Sequence, residues 1–432
     1  MILRAAFVLL VVAGVLAVVW RLGHSDRASR EPRSREEAMN PHSPGERAGR
    51  LPAGEMNGPA VEAVNAFALD LYARLRPADG NLFFSPYSVA SVLAVTFAGA
   101  RGETRKQMAR TLHFAPEGGV AQSGFAAIDR DLKAGAVRSG YRLDLAGALW
   151  GQRGFGFREE FLRQLKEGHG AGLLEADFQG DREGARRAIN DWASRETGGR
   201  ITDLVLPNAL GPLTRLVLTH AVYFKGSWAT PFDPAETGAG PFRLAKDRTV
   251  GVPLMRRTGQ MNYFESRALQ ALELPYVGGD LSMVVLLPRQ RNGIAELERS
   301  ITVESLRTWL AGLRARSVDA VLPKLTLSWG SDLARTLSAM GMPDVFDQEK
   351  ADFSGMNGNV PEPLRVAAVI HKAFAQVNEE GTEAAASTAV EMAMRSMPET
   401  ATVFRADHPF VFLIRDNRSG VILFMGRVAD PK

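Results

Sequence analysis

The sequence predicts an α+β fold, a layer of helices against large antiparallel β-sheets, and two observations carry that expectation. Segments with apolar residues spaced three and four apart crowd the first third of the chain, whereas strand-like runs dominate from Leu213 onward. Few strands alternate with helices, which excludes a doubly wound parallel sheet. With 432 residues, 45% of them hydrophobic, the chain has ample apolar mass for one large core.

The chain opens on a short basic stretch, residues 1–4, followed by sixteen uncharged, mostly aliphatic residues, 5–20. As a helix these would cover about 24 Å, short of a hydrocarbon layer of roughly 30 Å, which suits a signal peptide or a minimal membrane anchor. Arg21, Arg27, Arg30, Arg33 and Arg35 follow, and the positive-inside tendency would hold that side in the cytoplasm. Export remains the expectation, giving a secreted or extracytoplasmic protein, anchored by residues 5–20 if they are kept. Residues 21–58 lack aromatics and are rich in Arg, Glu, Ser, Pro and Gly, the composition of a disordered linker. The folded domain is expected over 59–432.

Its first helix is marked by Val61, Val64, Ala68, Leu71, Tyr72 and Leu75. Helical spacing returns at residues 88–100 and 161–174, and Thr197-Gly198-Gly199 stops the helix that carries Ile189 and Trp192. Strand-like runs then occupy residues 216–224, 271–274, 281–287, 320–327, 366–377, 410–415 and 421–428.

Charge and composition exclude several function classes. The 52 basic residues against 48 acidic ones leave +4, of which +3 sits in residues 1–50, so the domain is nearly neutral and not a nucleic-acid binder. No Cys is present, so disulfides, thiolate catalysis and Cys-based metal sites are absent. No G-x-S-x-G elbow, H-E-x-x-H helix or phosphate-binding P-loop occurs, and the seven His are scattered. An enzyme is not indicated, and neither a metal nor any other cofactor is expected.

Residues 365–378 read as a long strand that ends in Glu379-Glu380-Gly381. The following residues, 382–397, contain no Gly and only Pro398 closes them, so they lack ordinary turn chemistry. At period two they split: Thr382, Ala384, Ala386, Thr388, Val390, Met392 and Met394 share one face, and all the charge, Glu383, Glu391 and Arg395, lies on the other. An Ala-rich helix is the alternative, but helical spacing scatters Val390, Met392 and Met394. A strand of residues 382–395 slipped between two existing strands would gain ladder bonds on both sides, on the order of 10 kcal/mol or more. A fold that leaves it out is metastable.

At this point the residues resemble a known family. The motifs, in order, are Asn81-Leu-Phe-Phe-Ser-Pro-Tyr-Ser88, Gly99-Ala-Arg-Gly-Glu-Thr104, Ile189-Asn-Asp-Trp192, Tyr223-Phe-Lys-Gly-Ser-Trp228 and Leu274-Pro-Tyr276. They continue with Leu322-Pro-Lys324, Ala351-Asp-Phe-Ser-Gly355, His371-Lys-Ala373, Glu379-Glu-Gly-Thr-Glu-Ala-Ala-Ala386, His408-Pro-Phe410 and Phe424-Met-Gly-Arg427. Over nearly all of residues 59–432 the chain resembles a serpin, an inhibitory member of bacterial type. The resemblance implies the serpin fold, three β-sheets with eight or nine helices and an exposed reactive-centre loop that inserts into the largest sheet.

It also implies a mechanism, in which a serine protease, or in some cases a cysteine protease, is acylated on the loop. The cut loop then inserts as a new strand, carrying the protease about 45 Å and distorting its catalytic triad. The hinge of that loop falls on Glu379, Gly381, Thr382, Ala384, Ala385, Ala386, Ser387 and Thr388, and from Gly381 onward these residues are small enough to insert quickly. The family's usual count from Gly381 sets the reactive bond at Arg395-Ser396, and an Arg there suits a trypsin-like pocket with its carboxylate. A one-residue slip would put Met394 before the bond and turn the specificity toward chymotrypsin- or elastase-like enzymes.

The family's shutter maps onto Ser85, Ser88 and His371, with His220 where an Asn is usual, and two close imidazoles would make sheet opening pH-sensitive. The breach maps onto Trp228, Lys324 and Glu379, with an ion pair between the last two. The implied partner is a target protease; no nucleic acid is expected, a membrane only through the N-terminal segment, and the protein should be a monomer. A non-inhibitory carrier or chaperone-like serpin is the alternative, and a hydrolase a third.

Overall fold

The computed structural model describes residues 58–115, 119–169, 172–244, 248–358, 364–382 and 401–432. In chain order they form α1 (Pro59–Leu75), β1 (Leu82–Phe84), α2 (Pro86–Gly99), α3 (Gly102–Thr111), α4 (Gly119–Ser139), β2 (Arg142–Gln152), α5 (Glu159–His169), β3 (Leu173–Ala176) and α6 (Arg182–Glu196). Strands β4 (Leu216–Ser227), β5 (Gly238–Arg243), β6 (Thr249–Glu265), β7 (Leu269–Pro275) and β8 (Leu281–Pro288) follow. Then come α7 (Ile294–Ser300), α8 (Val303–Gly312), β9 (Arg314–Pro323), β10 (Leu325–Asp332), α9 (Ala334–Ala339) and α10 (Ser354–Asn357). The last strands are β11 (Ala368–Val377), β12 (Gly381–Thr382), β13 (Thr402–Arg405), β14 (Phe410–Asp416) and β15 (Ile422–Val428).

Hydrogen-bonded ladders join the strands into a six-stranded sheet, β10-β11-β12-β4-β2-β3, and a nine-stranded one, β1-β15-β14-β8-β7-β6-β9-β13 with β5 on β6. The larger sheet has two parts that meet in the 17-residue β6. Its residues 249–254 pair with β5, its residues 262–265 with β7, and β9 runs along the middle. The three sheets implied by the resemblance are therefore one separate sheet and two parts of a second. Ten α-helices stand among the described residues; the count exceeds nine because it includes α9 and α10, only six and four residues long.

Two sequence expectations shift. The helix read over residues 161–174 ends at His169, and Leu173 and Leu174 begin β3 instead. The run 320–327 is two strands, because the chain leaves the nine-stranded sheet at Pro323 and enters the six-stranded one at Leu325. Lys324 sits at that crossing, its N–H donating to the Pro253 carbonyl at 2.9 Å.

Helix α2 explains how the two sheets share one core. Ser85 caps it by accepting the Ser88 N–H at 3.1 Å, and Pro86 fits the first turn, where no N–H is needed. Val89, Leu93 and Phe97 are buried along with nearly every other residue, the signature of a helix enclosed on all sides. It packs against β2 of the smaller sheet and β15 of the larger. On the outer face of the smaller sheet α6 encloses a second core, in which Trp192 meets Trp150 edge-on at 5.9 Å among Ile189, Ile201, Val205, Val217 and Ile370. Strands β4 and β11 are thus covered on both faces, which suits their continuous Val, Leu, Ile and Ala content.

Candidate functional site

The site is a fork in the six-stranded sheet. Strands β4 and β11 run parallel and pair directly, from Ala368 opposite Val217 to Phe374 opposite Tyr223. Beyond that point they part. The chain turns at residues 378–380 and returns as β12, antiparallel to both neighbours, with Thr382 opposite Val377 on one side and Gly226 on the other.

The turn has its own chemistry. The Asn378 side-chain oxygen accepts the N–H groups of Glu380 and Gly381, both at 3.1 Å. Gly381 takes φ 152°, and a Cβ there would collide with the Gly226 carbonyl oxygen, so only glycine passes between the strands. From outside, the Trp228 N–H donates to Glu380 O at 2.8 Å, its indole N–H to Asn378 O at 3.0 Å, and the Phe232 N–H to Glu379 O at 2.8 Å. Lys324 Nζ lies 2.8 Å from Glu379 Oε2, with side chains 39% and 11% exposed. Burial alone would raise the Glu379 carboxyl, but the Lys324 ammonium and a backbone N–H outweigh it and hold it below its usual range.

Thr382 is fully buried, its hydroxyl 2.9 Å from the Tyr276 hydroxyl. The Tyr276 ring stacks on Trp228 at 4.7 Å and meets Phe224 edge-on at 5.0 Å. Burial holds the phenol far above its usual pKa, so it stays neutral.

Further along the same ladder His220 of β4 stands opposite His371 of β11, ring centres 5.9 Å apart and both fully buried. The Ser85 N–H donates to His371 Nε2 at 3.2 Å, while the Ser85 hydroxyl donates to Leu423 O at 2.7 Å. Ser88 Oγ lies 3.3 Å from His220 Nδ1. The other two ring nitrogens, His220 Nε2 and His371 Nδ1, have no hydrogen-bond partner among the described residues. Burial pushes His220 down to about 3, the interaction of the ring with the Ser88 backbone acceptor opposing it only in part. Burial, and then the neighbouring His220, push His371 well below 6.5.

Two groups of sequence-picked residues therefore come together: Trp228, Lys324 and Glu379 at the fork, and Ser85, Ser88, His220 and His371 along the closed ladder. Gly381 and Thr382 lie inside the sheet. Ala384, Ala385, Ala386, Ser387, Thr388, Arg395 and Ser396 lie outside the described residues, as does the segment 5–20. Sequence reasoning missed Tyr276 as a site residue and the Asn378 turn. The turn had a local signal in Asn378-Glu379-Glu380-Gly381; Tyr276 had none, since its partner is 106 positions away. Among the described residues no group of three or more acidic or His side chains could hold a metal.

The family profile of serpins, serine protease inhibitors, matches residues 62–431. The chain is a serpin. An uncharacterized serpin-like protein of Thermococcus kodakarensis is 41% identical to it over 376 residues, covering 87% of this chain and 86% of that one. Leukocyte elastase inhibitor of Bos taurus is 42% identical, covering 84% of this chain and 97% of the relative. Human thyroxine-binding globulin, solved in complex with thyroine, shares the fold at a TM-score of 0.78 and 29% identity, covering 86% of this chain and 98% of that one. Family and relatives make this serpin a protein of the protease-inhibitor class rather than an enzyme, with a protease as its partner.

Proposed function

We propose that this serpin inhibits trypsin-like serine proteases as a suicide substrate, cut at Arg395-Ser396, with residues 382–395 then entering the six-stranded sheet between β4 and β11. One observation supports this above the others: β12 already lies antiparallel to both strands at the point where the insert would start. Continuing from Thr382, whose side chain faces the core, period two turns Ala384, Ala386, Thr388, Val390, Met392 and Met394 inward and Glu383, Glu391 and Arg395 outward. No charge would face the main core between the two sheets. Insertion exchanges one parallel ladder for two antiparallel ones, which are slightly more stable per residue. Trp228, Lys324 and Glu379 would then guard the entry, and Ser85, Ser88, His220 and His371 the strands that part below it.

Incubation with trypsin should give an SDS-stable covalent complex, and mass spectrometry of that complex should place the cut after Arg395. A clipped chain without complex would overturn the inhibitory reading in favour of a carrier-like serpin. A second specificity follows from the bovine relative's name as an elastase inhibitor: a cut after Met394 with elastase, and no complex with trypsin, would replace the Arg395 assignment. Export through residues 5–20 belongs to the same proposal and is tested by fractionation with sequencing of the mature N-terminus.

A further inference from the structure

The hinge is held at three places, and they differ in what they hold. Trp228 and Phe232 bind the carbonyls of residues 378–380, and Lys324 binds the Glu379 side chain, so both fix the turn that precedes the strand. Past Gly381 the hinge strand is held, among the described residues, by the hydrogen bond between the Thr382 and Tyr276 hydroxyls. It lies in an apolar pocket between Trp228 and Phe224. If Thr382 left the sheet, its own hydroxyl would find water, but the Tyr276 hydroxyl would stay behind, buried and unpaired. Expelling the hinge therefore carries a penalty that resides on Tyr276.

We propose that Tyr276 is a positioning residue for the trap: its hydroxyl keeps Thr382 inside the sheet, so that insertion starts from an open fork instead of a closed ladder. Resting on the inhibitory reading above, this adds what sets the outcome after cleavage. An acylated loop whose first strand residue is already placed has no initial closure to make, and each further residue gains bonds on two sides. Where the hinge is out, the cut loop must first find the fork, and water has longer to release the protease. Tyr276 thus sets the ratio of trapped to released protease.

The test uses the full chain and two readouts. Hydrogen exchange of the peptide spanning Asn378 to Thr382 should quicken about fivefold in Tyr276→Phe, which keeps the ring and its stacking on Trp228 but removes the hydroxyl. With trypsin, the ratio of clipped to trapped serpin should rise by a similar factor. Thr382→Val removes the bond from the other side and carries the same test should Tyr276→Phe fail to fold. Thr382→Ser should bring the ratio back toward the wild-type value. The double variant Tyr276→Phe/Thr382→Val leaves no hydroxyl unpaired, so it should be no worse than the poorer single variant; effects that add would show two unrelated losses.

Unchanged exchange in both single variants overturns the lock. Quickened exchange with an unchanged clipped-to-trapped ratio, in a wild type that does trap trypsin, overturns its role in trapping. A wild type that is only clipped overturns the inhibitory reading and the trapping role with it, while the exchange readout still decides whether Tyr276 holds the hinge.

Discussion

The two ends of the β4–β11 seam are built on opposite plans. At the fork the strands are parted and the groups that hold the hinge meet partners: Thr382 with Tyr276, Lys324 with Glu379, and Trp228 with two carbonyls. Along the closed ladder the strands touch, yet two buried imidazoles face each other with one ring nitrogen of each unpaired among the described residues. A parted but satisfied end beside a closed but unsatisfied stretch is an arrangement that can open further with little loss. The fork supplies the start, and the ladder beyond it is held by packing and seven residue pairs of parallel sheet.

The largest expected effect tests whether that seam stores free energy. If residues 382–395 enter between the strands after cleavage, the nicked protein should be more stable by about 10 kcal/mol or more. Its melting temperature should rise by about 13 °C or more, measured by calorimetry on intact and trypsin-nicked protein. A nicked protein that melts no higher than the intact one would erase the contrast between a primed fork and a resting ladder.

Next in size is a charge at the fork. Thr382→Arg would place a guanidinium in a fully buried pocket shaped by Tyr276, and desolvating it costs several kcal/mol. The hinge should leave the sheet, and the ratio of clipped to trapped serpin should rise by about a hundredfold or more. Trapping that survives would mean that Thr382 need not enter the sheet at all.

What was legible in the sequence divides along the same seam. Helix α1 announced itself through Val61, Val64, Ala68, Leu71, Tyr72 and Leu75, because one buried face imposes helical spacing. Strands β4 and β11 were legible as apolar runs because both their faces are covered. Strand β6, residues Thr249–Glu265, was not, since most of its positions are exposed or half-buried and carry Gly, Gln, Arg and Asn. The sheet change at Lys324 was invisible for a different reason. Leu322, Leu325 and Leu327 are all buried, but in different sheets, and burial leaves the same mark in a sequence whichever partner supplies it. Lys324, Glu379 and the two His came from likeness to a family; Tyr276, whose role rests on one hydroxyl and a distant partner, required the fold.

The closed ladder predicts a pH effect of moderate size. His220 and His371 are held neutral far below the ordinary imidazole range, so the unfolded or opened chain takes up protons that the resting sheet refuses. Their contribution is complete above pH 6.5 and is lost as pH falls from there toward the depressed folded values, about 3 for His220. His220 should cost about 1.4 kcal/mol per pH unit in that window, or about 2 kcal/mol by pH 5, and His371 should add to the loss in the same direction. His220→Asn removes one of the two, so urea melts at pH 7 and pH 5 should show a smaller loss in the variant, and inhibition rates from pH 5 to 8 should respond less to acid. Identical pH profiles would show that the imidazoles are not what acid opens.

The smallest effect belongs to the Lys324–Glu379 pair at the fork. Lys324 is more than a third exposed, so solvent screens it and its loss should cost only about 1 kcal/mol. Yet Glu379 is mostly buried, and Lys324→Ala leaves its carboxylate without that cation, at the turn that feeds β12. The loss should therefore act on opening more than on global stability: heating below the melting temperature should convert Lys324→Ala faster to latent or polymeric forms, seen on native gels, while the urea midpoint moves little. Acid gives an independent check on the same pair. The depressed Glu379 carboxyl stabilises the resting form above its ordinary pKa near 4.5, and that contribution is lost as pH falls through the lower folded value. Wild type and Lys324→Ala should thus differ in opening rate at pH 7 and converge once the pH has fallen below the lowered Glu379 pKa. A difference that persists in acid would assign the effect to the Lys324 methylene chain against the sheet crossing and not to its charge.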